Sequence, residues 1–520
     1  MPRAACRVDG RASSARKLSP VILRQLIASQ PPEALALGAP GRRPLTHGQL
    51  LELIDHTGRV LAGHSIGRHD TLAIVLPNGP EMAAFFLAAA SACATAPLNP
   101  AYLQEEFAFY LADLGAKALV AETGSDGPAV AAARQLGIPI LEIDIDPRAP
   151  AGTFAFAAPK YGSPATPTAD DIALLLHTSG TTARPKLVPL SHANLLASAA
   201  NIAGTLRLES EDRCLNIMPL FHIHGLAAAV LASLSAGASV HCTPGFNALR
   251  FFAWLADVRP TWYTAVPTMH QAILSRAAPN RAAITANPLK FIRSSSASLP
   301  AAVLAELEGT FGCPVIEAYS MTEAAHQMTS NQLPPGKRKA GSVGIGAGPQ
   351  VAVMSGDGRI LSGGEIGEVV VRGANVTRGY LGNAAANDTA FAHGWFHTGD
   401  QGVFDGDGFL RITGRLKEII NRGGEKVAPV EIDDALLGHA AVHQAVAFAM
   451  PHAKLGEEVA AAVVLREGAE ASEQELRDYL LRKLAPFKVP RRIVIVDDIP
   501  KSATGKLQRQ GLAQKLGLAG

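Results

Sequence analysis

Aromatic residues and an excess of charge are both scarce in this sequence. Only 5% of its 520 residues are Phe, Trp or Tyr, and the formal net charge is +2. A nucleic-acid groove or a polybasic membrane face needs a strong positive field, and base recognition also uses aromatic stacking. The composition therefore argues against a nucleic-acid partner and against a charged membrane-binding face.

Cysteines are few, and long apolar runs are missing. No two cysteines show C-x-x-C spacing, which indicates free thiols in a reducing compartment, and we expect a cytoplasmic protein. The stretches 82–104 and 214–249 lack formal charge, but prolines interrupt both. They predict buried core elements rather than membrane spans. The cysteines are Cys6, Cys93, Cys214, Cys242 and Cys313.

The chain is long enough for more than one domain. Through the first two-thirds, short apolar runs alternate with helical patterns, which predicts α/β layers with largely parallel sheets. Glycine-rich strands follow from residue 341 to residue 414, and a compact α+β unit comes after them. We expect one domain over residues 21–414 and a second over residues 415–520. Residues 1–20 are basic without an apolar segment and predict a disordered tail, whose role in targeting stays open.

A loop dense in Ser, Thr and Gly follows the strand predicted at residues 172–176. Its sequence, TSGTTARPK, spans residues 178–186. Small residues let backbone amides approach an anion, while the hydroxyls and a lysine add donors and charge. The Walker A spacing is absent, and the next helix is predicted to start near Ser191. The alternative is a polar surface turn. The candidate phosphate ligands are Thr178, Ser179, Gly180, Thr181, Thr182 and Lys186.

Together with five further motifs in the same order, this loop resembles the superfamily of acyl- and aryl-CoA synthetases, luciferases and adenylation domains. The further motifs are residues 291–299, 317–323, 395–400, 411–431 and 500–506, and the resemblance extends over nearly the whole chain. It implies a large N-terminal domain of two sheets flanked by helices, with a β-rich subdomain. It also implies a small mobile C-terminal domain that closes the active site.

The resemblance implies a ligase that uses ATP, Mg²⁺ and CoA and works through an acyl-adenylate. Tyr319 would stack on adenine, Thr322 would contact phosphate, and Glu323 would help to hold Mg²⁺. Asp400 would accept hydrogen bonds from the ribose hydroxyls, and Arg415 would complement the negative charge of the nucleotide. The other nucleotide-binding candidates by resemblance are Ser296, Ala297, Glu317 and Ala318.

By the same resemblance, four residues toward the C-terminus serve adenylation and the later transfer to CoA. Lys506 would bridge the attacking carboxylate and the α-phosphate, whose repulsion is about 4 kcal/mol at an effective dielectric of about 20. Lys417 would be the hinge that withdraws Lys506, and Gly423 and Gly424 would line the pantetheine tunnel of CoA. The chain departs from the family at Ala183 and Leu187, where glycine is usual.

The acid-binding segments are unusually polar for this superfamily. Imidazoles and hydroxyls suit a small anionic acid rather than a fatty chain. The segments 262–271, 291–299, 317–331 and 421–433 look most like the oxalate–CoA ligase branch. Another small polar acid such as malonate, or a carrier protein as acyl acceptor, stays open, as does the choice between monomer and homodimer. The acid-binding candidates are His222, His224, Ser295, Ser296 and His326.

Overall fold

Two large sheets make up most of the fold up to residue 346 in the computed structural model, which describes residues 21–178 and 185–518. Their central strands are parallel and buried on both faces, as apolar runs between covering helices should be. In spatial order, the seven-stranded sheet comprises Ala155–Phe156, Ile140–Asp144, Ala118–Glu122, Thr71–Ile74, Ala94–Pro97, Ile172–Thr178 and Lys186–Ser191. The nine-stranded sheet comprises Ile345–Gly346, His326–Ser330, Val315–Met321, Phe291–Ser294, Trp262–Ala265, Arg213–Asn216, Ser239–Cys242, Leu35–Ala39 and Arg42–Thr46.

The two charge-free stretches of the sequence form buried core. Helix Pro80–Ala90 is buried throughout and contacts strand Ala94–Pro97 of one sheet and strand Ser239–Cys242 of the other. The π-helix His224–Leu231 is likewise buried along its whole length. In the part of the chain that the structure describes, no helix has the length and apolarity to cross a membrane. The prediction of core elements is confirmed.

Helices cover the sheets, and their starts follow from the sequence. Ser191 caps the helix predicted to begin there, because its hydroxyl accepts from the backbone of Asn194. The α-helices are Leu23–Ala28, His47–Gly63, Pro80–Ala90, Gln104–Asp113, Pro128–Gln135, His192–Thr205, Ala232–Ser235, Phe251–Val258, Pro267–Leu274, Arg281–Ala286, Ala301–Phe311, Ala384–Ala390, Pro429–Leu437, Glu473–Leu481 and Leu512–Lys515.

Two smaller sheets follow. The four-stranded antiparallel sheet comprises Gln350–Met354, Gly367–Arg372, Phe396–Phe404 and Leu410–Arg415. The last sheet comprises Glu425–Val427, Ile420–Arg422, Gly456–Leu465, Val442–His452 and Arg492–Ile495. The chain thus passes from one sheet to the next between Arg415 and Ile420. The division into domains at residue 415 stays a prediction, as does the tail over residues 1–20, which lies outside the described residues.

Leu187, where relatives usually have glycine, is a core residue. It lies opposite His177 in the antiparallel pair of strands, and its backbone carbonyl accepts from the amide of Leu381 at 2.9 Å. Its side chain is 6% exposed and packs with the apolar cluster that contains Leu175 and Leu119. The additional side-chain volume at this position therefore packs into the apolar core against the seven-stranded sheet.

Replacing Leu187 by alanine should lower the free energy of unfolding by about 2–5 kcal/mol, because a buried leucine leaves a cavity behind. Urea-induced unfolding followed by circular dichroism measures the change. Leu249→Ala is the control, since Leu249 is 70% exposed. Equal stability of the two variants would contradict the core assignment of Leu187.

Candidate active site

Several of the residues that the sequence singles out lie at the carboxyl ends of strands in the two large sheets. Ser296 comes shortly after strand Phe291–Ser294, and Glu323 comes shortly after strand Val315–Met321. Thr178 ends its own strand in the other large sheet. In open α/β sheets, loops at this edge form the crevice in which ligands bind. The fold therefore offers a shared crevice to the motifs.

The two ends of the predicted phosphate loop are held together by a β-hairpin. Thr178 lies opposite Lys186, and its hydroxyl donates to the carbonyl of Lys186 at 3.4 Å. The Lys186 Nζ lies 4.4 Å from the ring centroid of Tyr380, within range of a cation–π contact. The remaining loop candidates lie outside the described residues: Ser179, Gly180, Thr181 and Thr182.

Glu323 is a buried carboxylate in the turn Thr322–Ala324. Its Oε1 accepts a hydrogen bond from the hydroxyl of Tyr380 at 2.9 Å. Burial raises the pKa of Glu323, while the Tyr380 hydroxyl and the charges of Arg415 and Lys186 oppose that rise. Cations beside a buried acid favour its ionised form. These interactions favour a Glu323 carboxylate that can bind a cation.

This carboxylate fits the way in which Mg²⁺ binds with nucleotides. Mg²⁺ usually takes one or two carboxylates together with phosphate oxygens and water. Among the described residues, no group of three or more His, Cys, Asp or Glu side chains is placed to enclose a metal. Glu323, a hard oxygen donor, would hold the ion jointly with the triphosphate, which is the arrangement the donor set allows.

Asp400 is engaged at both carboxylate oxygens. Asp400 and Arg415 are cross-strand neighbours, and the Arg415 Nε donates to Asp400 Oδ1 at 2.9 Å. The hydroxyl of Tyr319 donates to Oδ2 at 2.6 Å. Three motifs that are distant in sequence therefore form one hydrogen-bonded unit. Adenine stacking by Tyr319 and ribose binding by Asp400 stay predictions.

Lys506 reaches this unit from the last part of the chain. The loop that carries it is attached to helix Pro267–Leu274, where the Thr268 hydroxyl donates to the carbonyl of Gly505 at 2.6 Å. Burial and the charge of Arg415 lower the pKa of Lys506, whereas Asp400 and Glu323 act in the opposite direction. These interactions place the ammonium group among the residues of the nucleotide motifs.

The predicted acid-binding histidines, His222, His224 and His326, form a polar wall near Lys506, which we call the histidine wall. His224 Nδ1 lies 3.0 Å from the Ser296 hydroxyl, and its Nε2 lies 2.7 Å from the hydroxyl of Thr264. The rings of His224 and His326 are 4.8 Å apart between centroids. Burial, then the charge of Lys506, lowers the pKa of His222 to about 3, so this imidazole is neutral at pH 7.

The serine loop, residues 294–298, and His326 both contain unusual backbone conformations. Ser296 has φ +74° and His326 has φ +101°, values that residues other than glycine rarely adopt. The Ser295 hydroxyl donates to the carbonyl of Ala318 at 3.0 Å and lies 2.9 Å from that of Ser320. Such strain persists where surrounding contacts fix it, and it is frequent at ligand sites.

Glu317 and Ala297 occupy different surroundings in this loop region. The Glu317 carboxylate is buried and accepts from the amide of Leu299 at 3.1 Å, which anchors the far end of the serine loop. Burial raises the pKa of Glu317 to about 8. Ala297 is exposed at the crest of the loop. Nucleotide contacts for Ala297, Glu317 and Ala318 stay predictions.

Three predicted residues lie apart from this cluster. Lys417 is exposed in the turn Leu416–Glu418, between two sheets. Gly423 and Gly424, with φ +58° and +101°, form the exposed hairpin turn after strand Ile420–Arg422. Two-residue hairpin turns require positive φ, so turn geometry alone accounts for both glycines. The hinge and the CoA tunnel stay predictions.

Sequence reasoning missed two residues of the site, Arg293 and Tyr380. Arg293 is completely buried within strand Phe291–Ser294, and the Tyr380 hydroxyl contacts Glu323. Only Arg293 had a visible signal, since a charged residue inside a predicted buried strand calls for a partner. Tyr380 lies 57 residues from Glu323 in the sequence, and only packing brings its hydroxyl to that carboxylate.

Comparison with known proteins identifies relatives over almost the whole chain. Residues 25–381 match the AMP-binding enzyme family, and residues 431–506 match the C-terminal domain of AMP-binding enzymes. The oxalate–CoA ligase of Arabidopsis thaliana is 45% identical over 505 residues, which is 95% of this chain and 97% of the relative. The oxalate–CoA ligase of Saccharomyces cerevisiae is 40% identical, over 91% of this chain and 92% of the relative.

The solved structures include MatB from Rhodopseudomonas palustris in two states. The ATP-bound crystal structure of MatB superimposes with a TM-score of 0.87 at 28% identity, covering 95% of this chain and 98% of MatB. The apo structure, with the same coverage and 29% identity, gives a TM-score of 0.78. The arrangement of this chain is therefore more similar to the ATP-bound state.

Replacing Tyr380 by phenylalanine should weaken the binding of Mg²⁺ with ATP by about tenfold, the effect of losing one hydrogen bond to a charged group. The physical reason is that the pKa of Glu323 rises further without the hydroxyl. Isothermal titration with Mg²⁺ and a non-hydrolysable ATP analogue measures the affinity. Tyr161→Phe is the control, because Tyr161 is 62% exposed. An affinity unchanged by Tyr380→Phe would remove Tyr380 from the site.

Proposed function

We propose, from the premise that this chain belongs to the family of AMP-binding enzymes, that it is an ATP-dependent oxalate–CoA ligase. The overall reaction converts oxalate, ATP and CoA into oxalyl-CoA, AMP and pyrophosphate. It is thus an acid–thiol ligase that works through an acyl-adenylate. The two oxalate–CoA ligases above, at 45% and 40% identity over nearly full length, support the choice of acid.

The observation that carries the proposal is the position of Lys506. Its ammonium group interacts electrostatically with Asp400 and Glu323, and its charge also acts on His222 and His326 of the histidine wall. Adenylation brings an anionic carboxylate against an anionic α-phosphate, so a cation between the two anions offsets their repulsion. A lysine delivered by a separate segment can supply this charge only while the segment is closed.

In the first step, a carboxylate oxygen of the acid attacks the α-phosphorus of ATP, and pyrophosphate leaves. Lys186 and the loop before it would hold the outgoing phosphates, while Glu323 would hold Mg²⁺, which neutralises the developing charge. Arg415 and Tyr319 keep the Asp400 carboxylate fixed for the ribose. The imidazoles of the histidine wall would favour a small polar acid over a long acyl chain.

In the second step, the thiol of CoA attacks the acyl carbonyl, and AMP leaves. Lys506 has no part in this step, so the family's rotation about Lys417 would withdraw it and bring up the Gly423–Gly424 turn. The greater similarity to the ATP-bound state of MatB supports the view that the described arrangement serves adenylation. The four described cysteines are free and buried, which fits the proposed cytoplasmic setting.

A pyrophosphate-release screen tests the proposal directly. Purified protein is incubated with ATP and Mg²⁺ and with oxalate, malonate, acetate, a medium-chain fatty acid or coumarate, each with and without CoA. The expected result is preferred turnover of oxalate, with oxalyl-CoA formed when CoA is present. Preference for another acid would overturn the choice of oxalate, and adenylation without thioester formation would favour a carrier protein as acceptor.

Replacing Lys506 by alanine should slow adenylation by about 10²–10³-fold, the usual cost of removing one group that stabilises transition-state charge. Formation of oxalyl-CoA from supplied oxalyl-adenylate should be nearly unaffected. Stopped-flow assays of each half-reaction measure the two rates.

The matched control for this variant lies on the same loop. Lys501 is exposed and ion-paired with Asp498, so Lys501→Ala should leave both half-reactions near the wild-type rate. Equal losses of adenylation and thioester formation in Lys506→Ala would refute the assigned role.

A further inference from the structure

A buried arginine without an acidic partner stands behind the histidine wall. Arg293 is 0% exposed, and its guanidinium donates to His326 Nε2 at 3.1 Å and to Gln327 Oε1 at 3.3 Å. Its Nε has no hydrogen-bond partner, and none of the carboxylates that the structure describes forms an ion pair with it. A buried charge without a counter-charge costs several kcal/mol, so such an arginine calls for an anion that binds there.

The contact with Arg293 fixes the protonation of His326. A guanidinium can only donate, so Nε2 of His326 must accept, and the proton of the neutral imidazole lies on Nδ1. Burial and the charge of Arg293 lower the pKa of His326 well below its ordinary value, so the ring is neutral. The Nδ1 atom is buried and has no hydrogen-bond partner. His326 therefore presents an unused N–H donor.

Among the site histidines, His326 differs in this respect from its neighbours. Both ring nitrogens of His224 already contact hydroxyls, from Ser296 and Thr264. The Nδ1 of His222 accepts from the backbone amide of His224. Both ring nitrogens of His224 and the Nδ1 of His222 are thus engaged, whereas the buried Nδ1–H of His326 is left for a ligand.

A second cation also acts on the imidazole of His326. Lys506 also lowers the pKa of His326, more weakly than Arg293 does. Two cations thus act on His326: Arg293 in strand Phe291–Ser294, and Lys506 near the C-terminus. Two cations around one neutral donor suit a small dianion better than a monocarboxylate.

We propose that His326 and Arg293 bind the second carboxylate of the acid, the one that does not react. The His326 Nδ1–H donates to a carboxylate oxygen, and Arg293 acts through the imidazole, holding its tautomer and supplying the compensating charge. Arg293 is thus a positioning residue that selects a dicarboxylate. This inference rests on the proposed function, because it assigns the far end of oxalate.

The test compares oxalate with oxamate, which has nearly the same shape but carries a neutral amide in place of one carboxylate. Arg293→Met should lower kcat/KM for oxalate by about 10- to 100-fold, the range for losing hydrogen bonds and charge at an anion. The loss should appear mainly in KM. For oxamate, kcat/KM should change by less than about threefold, since its amide gains little from a cation. Equal losses for both acids would overturn the inference.

A second variant and a binding readout separate this role from a structural one. His326→Asn keeps an N–H donor and a residue that tolerates positive φ, so it should retain more oxalate activity than His326→Leu. With a non-hydrolysable ATP analogue present, oxalate should raise the Tm of the wild type, and this rise should vanish in Arg293→Met. The rise caused by the analogue alone should persist. Loss of both rises would show that Arg293 merely supports the fold.

Failure of the proposed function gives a different result. If the wild-type protein releases no pyrophosphate with oxalate, the proposed substrate is wrong, whatever the variants do. The preferred acid from the screen then replaces oxalate in the comparison. If that acid is a monocarboxylate, the assignment of Arg293 to a second carboxylate falls as well.

Discussion

The hydrogen bond between Thr268 and the carbonyl of Gly505 is the contact on which the completed site depends. It attaches the loop of Lys506 to the helix that follows the carboxyl end of strand Trp262–Ala265 in the nine-stranded sheet. Ser296 and Glu323 follow the carboxyl ends of other strands of this sheet. Gln271 adds a second link on the same helix, because its side-chain amide donates to the carbonyl of His443 at 3.0 Å. Without this attachment, the nucleotide motifs and the acid wall would remain, but the cation between them would be missing.

Two of the cations in the site are not paired with any carboxylate that the structure describes, so a bound anion would balance their charge. Arg415 is balanced by Asp400, and Glu323 is held by Tyr380. Among the described residues, no carboxylate forms an ion pair with Lys506 or Arg293, and burial lowers the pKa of both, that of Arg293 to about 9. Substrates that bring phosphate and carboxylate charge therefore complete the electrostatics of the pocket. This dependence on a ligand is the physical basis of the selectivity that we propose for a small dianion.

Local patterns in the sequence were reliable wherever neighbouring residues decide the outcome. The apolar runs predicted the buried strands, and Ser191 caps the helix that was predicted to start there. The stretches without formal charge form buried core. At two other places, the structure explains one residue and leaves one prediction untested. Leu187 packs in a core cluster, whereas Gly423 and Gly424 form a hairpin turn whose role in a CoA tunnel stays a prediction. The neighbours that bury Leu187, Leu119 among them, lie in other segments of the chain.

By itself, the sequence determined the family, the order of the motifs and the type of chemistry, because short motifs encode backbone turns and reactive side chains locally. The tertiary structure alone decided which of these groups meet. Arg293 and His326 are 33 residues apart, and only their places on the same sheet allow a guanidinium to set the tautomer of an imidazole. Hydrogen-bond direction and the lack of a counter-charge are properties of a packed interior, and no local pattern in the sequence encodes them.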